Sequence, residues 1–196
     1  MLHYHKLLSS ILTAAVRWQV IPSNPCERVA PPKVERKEAV YLDEEQAADL
    51  LAALDKESMQ HQVIVKLLLF TGMRRGELCG LEWKDIDFER AVIFVRRSSL
   101  YMAGRGVFED ETKNTSSERC MKVSADVVSM LRAWRAEQSK QRLRMGDQWQ
   151  DSDRLFTTWN GAPIRPDGIT AWFHKFVTKN GLPPIHILCG TRTQRC

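Results

Sequence analysis

At residues 71–78 the chain reads Thr71-Gly72-Met73-Arg74-Arg75-Gly76-Glu77-Leu78, after an apolar run and before a strand-like run at 91–95. Gly72 predicts the end of a first helix, because glycine is common where a helix stops. A second, short helix then begins, and Arg74 and Glu77 lie three residues apart on one side of it. An arginine fixed just after a glycine turn is well placed to bind a phosphate bidentately.

Composition is that of an ordinary soluble globular protein of 196 residues, with 43% hydrophobic and 27% charged residues. That length suffices for one full domain plus a remnant. No apolar run approaches the ~20 residues of a membrane span. The first residues, 1–5, are not followed by the apolar region or cleavage site of a secretory signal. The net charge of +5 suits a polyanionic partner without requiring one.

The cysteines and histidines predict no metal site. No two cysteines form a Cys-x-x-Cys pair, so a zinc finger or ribbon is not expected. His3 and His5 have no neighbouring residues that would complete a ligand set. An intracellular chain with reduced thiols is the simplest interpretation of the five cysteines: Cys26, Cys79, Cys120, Cys189 and Cys196.

Periodicity predicts a mainly α fold with a small antiparallel β-sheet, an α+β class. Apolar residues at helical spacing open the chain, and a proline-rich stop follows. Asp43 is expected to cap the next helix along the chain, and the helix that ends near Gly72 covers about 59–70. Later helices are expected around Trp134 and over about 166–180. Between the helix at 59–70 and the helix around Trp134 we expect three strands and one polar loop: strands at 85–88, 91–98 and 119–123, and the loop at 109–117.

The stretch at 71–87 resembles the first catalytic box of the tyrosine site-specific recombinases, the phage and transposon integrase family. That box reads Thr-Gly-x-Arg-x-x-Glu-Leu, then Leu-x-Trp-x-Asp-(Ile/Val), which residues 81–86 match here. The resemblance implies that Arg74 contacts the scissile phosphate and that Glu77 is the buried acid that orients it. The alternative is a surface Arg–Glu pair at a helix N-terminus.

Two further stretches extend the resemblance. Residues 18–25 are similar to the end of the family's core-binding domain, with a Trp-x-x-Ile-x-x-Asn-Pro pattern. The implied organisation is a core-binding remnant at 1–30, an interdomain linker at 31–41 and an incomplete catalytic domain at 42–196. The linker either crosses the DNA backbone, as in the family, or is a solvated tether. Lys113 is similar to the family's β-hairpin lysine, which enters the minor groove and acts as general acid.

The resemblance stops near the end of the chain. Residues 182–187 match the approach to the second box, His-x-Leu-Arg-His-Thr, but neither His186 nor Arg192 has the required partner three residues away. A frame-shifted reading of residues 188–196 or a natural divergent tail would explain the departure. The tyrosines all lie upstream of the place expected for the nucleophile: Tyr4, Tyr41 and Tyr101.

The tryptophans allow two interpretations, base stacking or core packing. Trp83, Trp134 and Trp172 occupy periodic apolar positions, which favours core packing. If the family's last helices are missing, Trp172 and the neighbouring Phe173 and Phe176 are expected to be partly uncovered, and such patches cause self-association.

The resemblance thus implies a DNA-binding fragment of an integrase, truncated at both ends and unable to cleave. It would come from a phage or another mobile element and act in the cytoplasm of a bacterium, on double-stranded DNA resembling an attachment site and with other recombinase protomers. Intact relatives cut through a 3′-phosphotyrosine, with no metal and no nucleotide cofactor. Two alternatives remain open, a non-catalytic DNA-binding module and a helical interaction module with no DNA role.

Overall fold

The computed structural model describes residues 2–31, 42–111 and 119–185, with the backbone alone described at 110 and 111. The chain divides into two compact units, Met1–Ala39 and Val40–Cys196. Within the described ranges, every helix is too short or too polar to cross a membrane. The predicted linker at 31–41 lies outside the described residues, apart from its first residue.

The described part of the first unit, residues 2–31, contains a helix and the turn that follows it. Helix α1, Leu2–Arg17, matches the helix predicted there, and a short 3-10 helix covers Pro25–Arg28. Asn24 joins the two, because its buried side chain donates to the carbonyl of Ser9 at 3.1 Å and to the hydroxyl of Thr13 at 3.0 Å. No residue of α1 is buried, so polar contacts rather than an apolar core hold this turn against the helix.

The helices of the second unit begin and end close to where the sequence predicts. Asp43 and Gln46 form a reciprocal capping box at the start of α2. Gly72 ends α3 with φ 64°, a left-handed conformation in which glycine carries no Cβ strain. The described helices are α2 Glu44–Leu54, α3 Met59–Thr71, α4 Arg75–Gly80, α5 Ala125–Met145 and α6 Pro166–Lys179.

The strands form two small antiparallel sheets. The first has the order β1-β2-β5, with β1 at Ile86–Asp87, β2 at Val92–Val95 and β5 at Arg119–Lys122. The second is a hairpin of β3, Arg97–Met102, and β4, Gly106–Glu111. Together with the helices they confirm a mainly α fold with a small antiparallel β component.

Two details of the strand prediction were wrong. The single strand expected at 91–98 is two strands in different sheets, which separate at Arg96. The loop expected at 109–117 begins as strand, because residues 109–111 belong to β4 and pair with β3. The polar composition of 109–111 concealed this strand, since backbone hydrogen bonding across a hairpin does not require apolar side chains. The rest of that expected loop, 112–117, lies outside the described residues.

Helix α3 is central to the second unit, because it contributes to both apolar clusters that the described residues form. One side, with Ile64 and Leu67, packs against α4 and α5, where Trp134 is fully buried. Val65 on another side packs against α2 and α6. Trp83 packs half-buried on the first cluster, as the core interpretation predicts.

The expectation of an uncovered aromatic face on α6 was wrong for the two phenylalanines. Phe173 and Phe176 are only 4% and 2% exposed, because α2 and α3 cover them. Trp172 packs half-buried on the same cluster and stacks on the ring of His61 at 3.8 Å between centroids. The described residues therefore bury the two phenylalanines of this face and leave Trp172 partly exposed.

Helix α4 lies unusually close to β3, and two glycines permit it. A Cβ on Gly80 would lie 2.9 Å from the carbonyl oxygen of Arg97, and one on Gly76 would overlap the Ser98 hydroxyl. The spacing of four residues places both glycines on the side of α4 that meets the strand. Any larger residue would push the helix away, so this contact fixes where α4 begins and hence where Arg74 lies.

Candidate functional site

Arg74 and Glu77 form the contact that the sequence predicts, with Glu77 buried and Arg74 exposed. Arg74 is the N-cap of α4, and its backbone N–H donates to Glu77 Oε2 at 2.8 Å. Its Nη1 donates to Glu77 Oε1 at 2.9 Å. The Glu77 side chain is 4% exposed, whereas that of Arg74 is 76% exposed. Glu77 is therefore a buried acid rather than one partner of a surface pair, and its role in orienting Arg74 stays a prediction.

A second arginine, Arg119, binds the same carboxylate from the sheet. It is the first residue of β5, and it donates from Nη1 to Glu77 Oε1 at 3.0 Å and from Nη2 to Oε2 at 2.7 Å. This is the bidentate geometry that makes arginine–carboxylate pairs both strong and specific. Sequence reasoning missed Arg119, although one signal existed: a buried acid needs more donors than Arg74 alone supplies.

The hydrogen bonds to Glu77 account for its charge state. A carboxylate offers about four acceptor sites, and Arg74 and Arg119 together donate four hydrogen bonds. Burial by itself raises the pKa of Glu77, but hydrogen bonds from Arg119 and Arg74 outweigh it and lower that pKa below its ordinary value. The bond to Glu77 in turn raises the pKa of Arg119. Two guanidinium groups thus face one carboxylate, which leaves an excess of one positive charge.

The free part of Arg74 defines what the site can do chemically. A guanidinium has five N–H donors, and Arg74 uses one terminal nitrogen on Glu77. Because three quarters of the side chain is exposed, its other donors face solvent. A cation held in one direction at the surface, with donors to spare, suits a phosphate oxygen.

The neighbouring Arg75 has a structural role instead. Its side chain contacts the hydroxyl of Thr170 and lies 3.3 Å from Asp167 Oδ1, so it joins α4 to the start of α6. Its side chain is 29% exposed, against 76% for Arg74. Adjacent arginines of one motif therefore point to different environments, and Arg74 is the one presented to solvent.

The aspartate of the motif, Asp85, anchors the other end of α4. It is 1% exposed and accepts hydrogen bonds from Arg97 Nη1 at 2.6 Å and from Arg96 Nη1 at 3.3 Å. Arg97 also donates to the carbonyl of Gly80 at 3.3 Å, and buried Arg154 donates to the same oxygen. These contacts satisfy the last carbonyl of α4, which the helix itself leaves free.

Of the remaining sequence candidates, only two tyrosines are among the described residues. Lys113, His186 and Arg192 lie outside them, as does Tyr41. Tyr4 is exposed on α1, and the Tyr101 ring in β3 lies under the guanidinium of Arg165, 3.5 Å from its centroid. Within the described ranges, no group of three or more His, Cys, Asp or Glu residues could hold a metal ion.

Comparison with known proteins places the chain in a family. Residues 40–187 match the model of the phage integrase family. The chain is 25% identical over 181 residues to the ICEBs1 integrase of Bacillus subtilis (strain 168), covering 92% of this chain and 48% of that protein. It is 29% identical over 188 residues to the integrase of Mycobacterium phage FRAT1, covering 94% of this chain and 53% of that one.

A solved structure agrees with the fold. The Tn1549 transposon integrase, solved in complex with a circular intermediate DNA, superposes with a TM-score of 0.81 at 22% identity, over 97% of this chain and 63% of that one. The class that the box at 71–87 indicates is therefore correct: the chain belongs to the phage integrase family of tyrosine recombinases. It spans about half the length of the curated relatives it matches.

Proposed function

We propose that this chain is part of a recombinase and binds duplex DNA. Arg74 would contact a backbone phosphate, and Glu77 would orient Arg74. The observation that carries the proposal is the ion pair between Arg74, whose side chain is 76% exposed, and Glu77, whose side chain is 4% exposed. Phosphoryl-transfer sites rely on positive groups fixed in advance, because a fixed donor needs no reorganisation when charge develops on the phosphate. The net charge of +5 agrees with a polyanionic partner.

The proposal extends to the other motif residues and to partners. Lys113 would act as the general acid for the leaving 5′-oxygen, as its place in the family's hairpin pattern implies. Residues 1–30 would be core-binding sequence, 31–41 the linker and 42–196 catalytic-domain sequence. The Tn1549 integrase was solved in complex with a circular intermediate DNA. By analogy, the partners here would be attachment-site-like duplex DNA and other recombinase protomers.

The test is a binding titration of the 196-residue chain on a short fluorescent duplex over a series of salt concentrations. Because each phosphate contact releases counterions, affinity should fall steeply as salt rises. Arg74→Ala should weaken binding about tenfold, the equivalent of one charge-assisted hydrogen bond. It should also reduce the salt slope by about 1.

Arg90→Ala is the matched control. Arg90 is also exposed and lies three residues from an acid, Asp87, at 3.9 Å. The register of β2 and β5 pairs Val95 with Arg119 and Val92 with Lys122, so Arg90, just before β2, lies at the far end of the sheet from Arg119. Equal losses in Arg74→Ala and Arg90→Ala would reject a specific role for Arg74. Binding that does not respond to salt would reject the phosphate interface.

We also expect this chain alone to form no covalent DNA adduct on a nicked duplex, because none of its tyrosines lies in a stretch that matches the family's nucleophile. Denaturing electrophoresis followed by peptide mapping would show an adduct directly. A phosphotyrosine at Tyr4, Tyr41 or Tyr101 would contradict this expectation.

A further inference from the structure

We propose that Arg119 is a positioning residue for Arg74: from the start of β5 it holds both oxygens of Glu77, so that this carboxylate aligns Arg74 without engaging its whole guanidinium. This inference rests on the proposed phosphate contact of Arg74. It assigns to Arg119 an action through Glu77 rather than a contact with DNA.

The donor geometry separates the tasks of the two arginines. Arg119 commits both terminal nitrogens to Glu77, at 3.0 and 2.7 Å. Arg74 commits one terminal nitrogen, at 2.9 Å, and its side chain is about twice as exposed, 76% against 36%. Both terminal nitrogens of Arg119 therefore donate to Glu77, whereas most N–H donors of Arg74 remain available to a ligand.

Competition for one carboxylate explains why the second arginine matters. Arg74 Nη1 and Arg119 Nη1 both donate to Glu77 Oε1, and Arg119 also occupies Oε2. Without Arg119, a buried carboxylate would lose two of its four hydrogen bonds, and unmet acceptors of this kind are costly. Arg74 is the other described side chain that bonds Glu77, and its fork would turn inward to bind both oxygens. An inward guanidinium has fewer donors left for phosphate.

Arg119 and Arg74 are both attached to regular secondary structure that is packed in place. Arg119 is held by the pairing of β5 with β2, in register with Val95. Arg74 is held by α4, whose approach to β3 depends on Gly76 and Gly80. Side chains on paired strands and packed helices keep their geometry better than those on loops. The two elements therefore set the direction of Arg74 before any ligand arrives.

A double-mutant cycle on DNA binding tests the inference, with Arg74→Ala, Arg119→Ala and the double variant beside the wild-type chain. Arg119→Ala should weaken binding several-fold, by about 3- to 10-fold, when Arg74 is present. In the Arg74→Ala background it should weaken binding by less than about twofold, because no phosphate ligand is left to misalign. Additive losses would overturn the inference and make Arg119 a direct DNA contact.

Two further measurements remove a purely structural explanation. Circular dichroism at the binding temperature gives the folded fraction of each variant, so that affinity is computed per folded molecule. Arg119→Lys keeps the charge but cannot form the bidentate pair, so it should also weaken binding; wild-type affinity in this variant would overturn the inference. In DNA-free protein, the Arg74 Nε–Hε NMR signal should shift in Arg119→Ala, with the signals of Arg97 and Arg154 unchanged.

The outcomes for the two hypotheses differ. If Arg74→Ala binds DNA like the wild type, the proposed function fails and the inference falls with it. If Arg74→Ala weakens binding and Arg119→Ala does not, the inference alone fails and the phosphate contact stands.

Discussion

Two buried carboxylates in this protein each bind an arginine at short distance, and the two arginines differ in how exposed they are. Glu77 receives Arg74, whose side chain is 76% exposed, whereas Asp85 receives Arg97, whose side chain is 14% exposed. Both acids are themselves inside, at 3% and 1% exposure. The two acids of one motif therefore belong to two kinds of ion pair: in one the arginine is exposed to solvent, and in the other the arginine is buried.

The physical consequence concerns what each arginine contributes to stability. Removing one partner of an enclosed pair leaves a buried charge without compensation, which is strongly destabilising. An exposed partner interacts through water and contributes little. Arg97 should therefore matter for folding, and Arg74 should matter for binding.

The largest expected effect belongs to the enclosed pair. Asp85→Ala removes the carboxylate nearest to buried Arg97, at 2.6 Å, and leaves Glu82 at 3.1 Å as its remaining close partner. It should lower the free energy of unfolding by about 3 kcal/mol, the lower end of the range for a broken buried pair, in urea denaturation followed by circular dichroism. Asp87→Ala is the control, because Asp87 accepts two backbone N–H bonds at a more exposed turn and should cost only about 1 kcal/mol. A loss below that of Asp87→Ala would show that the Asp85 pair is not structural.

The next effect tests the packing that fixes both pairs. In Gly80→Ala the new Cβ would meet the backbone carbonyl of Arg97 at 2.9 Å, and backbone cannot move aside easily. We expect a loss of about 1–3 kcal/mol in the free energy of unfolding. In Gly168→Ala, within α6, the Cβ would meet only Arg165 Cβ at 4.0 Å, so the helix should be unchanged or stabilised by up to about 1 kcal/mol. Equal effects in the two variants would refute the close approach of α4 and β3.

Acid should weaken the exposed pair in a defined direction. Because the pKa of Glu77 is lowered from its ordinary value of 4.5, the folded state holds this proton less readily than the unfolded state. The contribution of Glu77 to stability is then complete above about pH 4.5 and is lost as pH falls through the lower folded-state pKa. The stability difference between the wild type and Glu77→Gln should be constant near neutral pH and shrink in acid. A stability difference between the wild type and Glu77→Gln that grows in acid is incompatible with the charged pair.

The smallest expected effect is the absence of a change in α4 when Arg74 is removed. Burial raises the pKa of the Cys79 thiol in α4 to about 12, so alkylation at pH 8 should be slow while α4 stays packed. In Arg74→Ala, Cys79 should stay as protected as in the wild type, and in Asp85→Ala it should react faster. Exposed Cys120 serves as the internal reference in mass spectrometry of the labelled peptides. Fast labelling of Cys79 in Arg74→Ala would mean that Arg74 holds α4 in place.

The sequence predicts the helices and the contact between Arg74 and Glu77 well, because both depend on local signals. Gly72, the Asp43 cap and the spacing of Arg74 and Glu77 are each readable within a few residues. Arg119 and the division of 91–98 into two sheets depend on strand pairing across the chain, which local patterns do not encode. The burial of Phe173 likewise depends on α2, which lies far away in the sequence.

The most direct test of the distinction between the two pairs is an arginine side-chain NMR titration with duplex DNA. The Nε–Hε signals of Arg74 and Arg97 would be assigned by their loss in the respective variants, with Arg97→Lys used to retain the charge. If Arg74 is the phosphate ligand, its signal should shift progressively with DNA while that of Arg97 stays constant. A stationary Arg74 signal at saturating DNA, or equal shifts of the two arginines, would contradict the assignment of Arg74 as the presented cation.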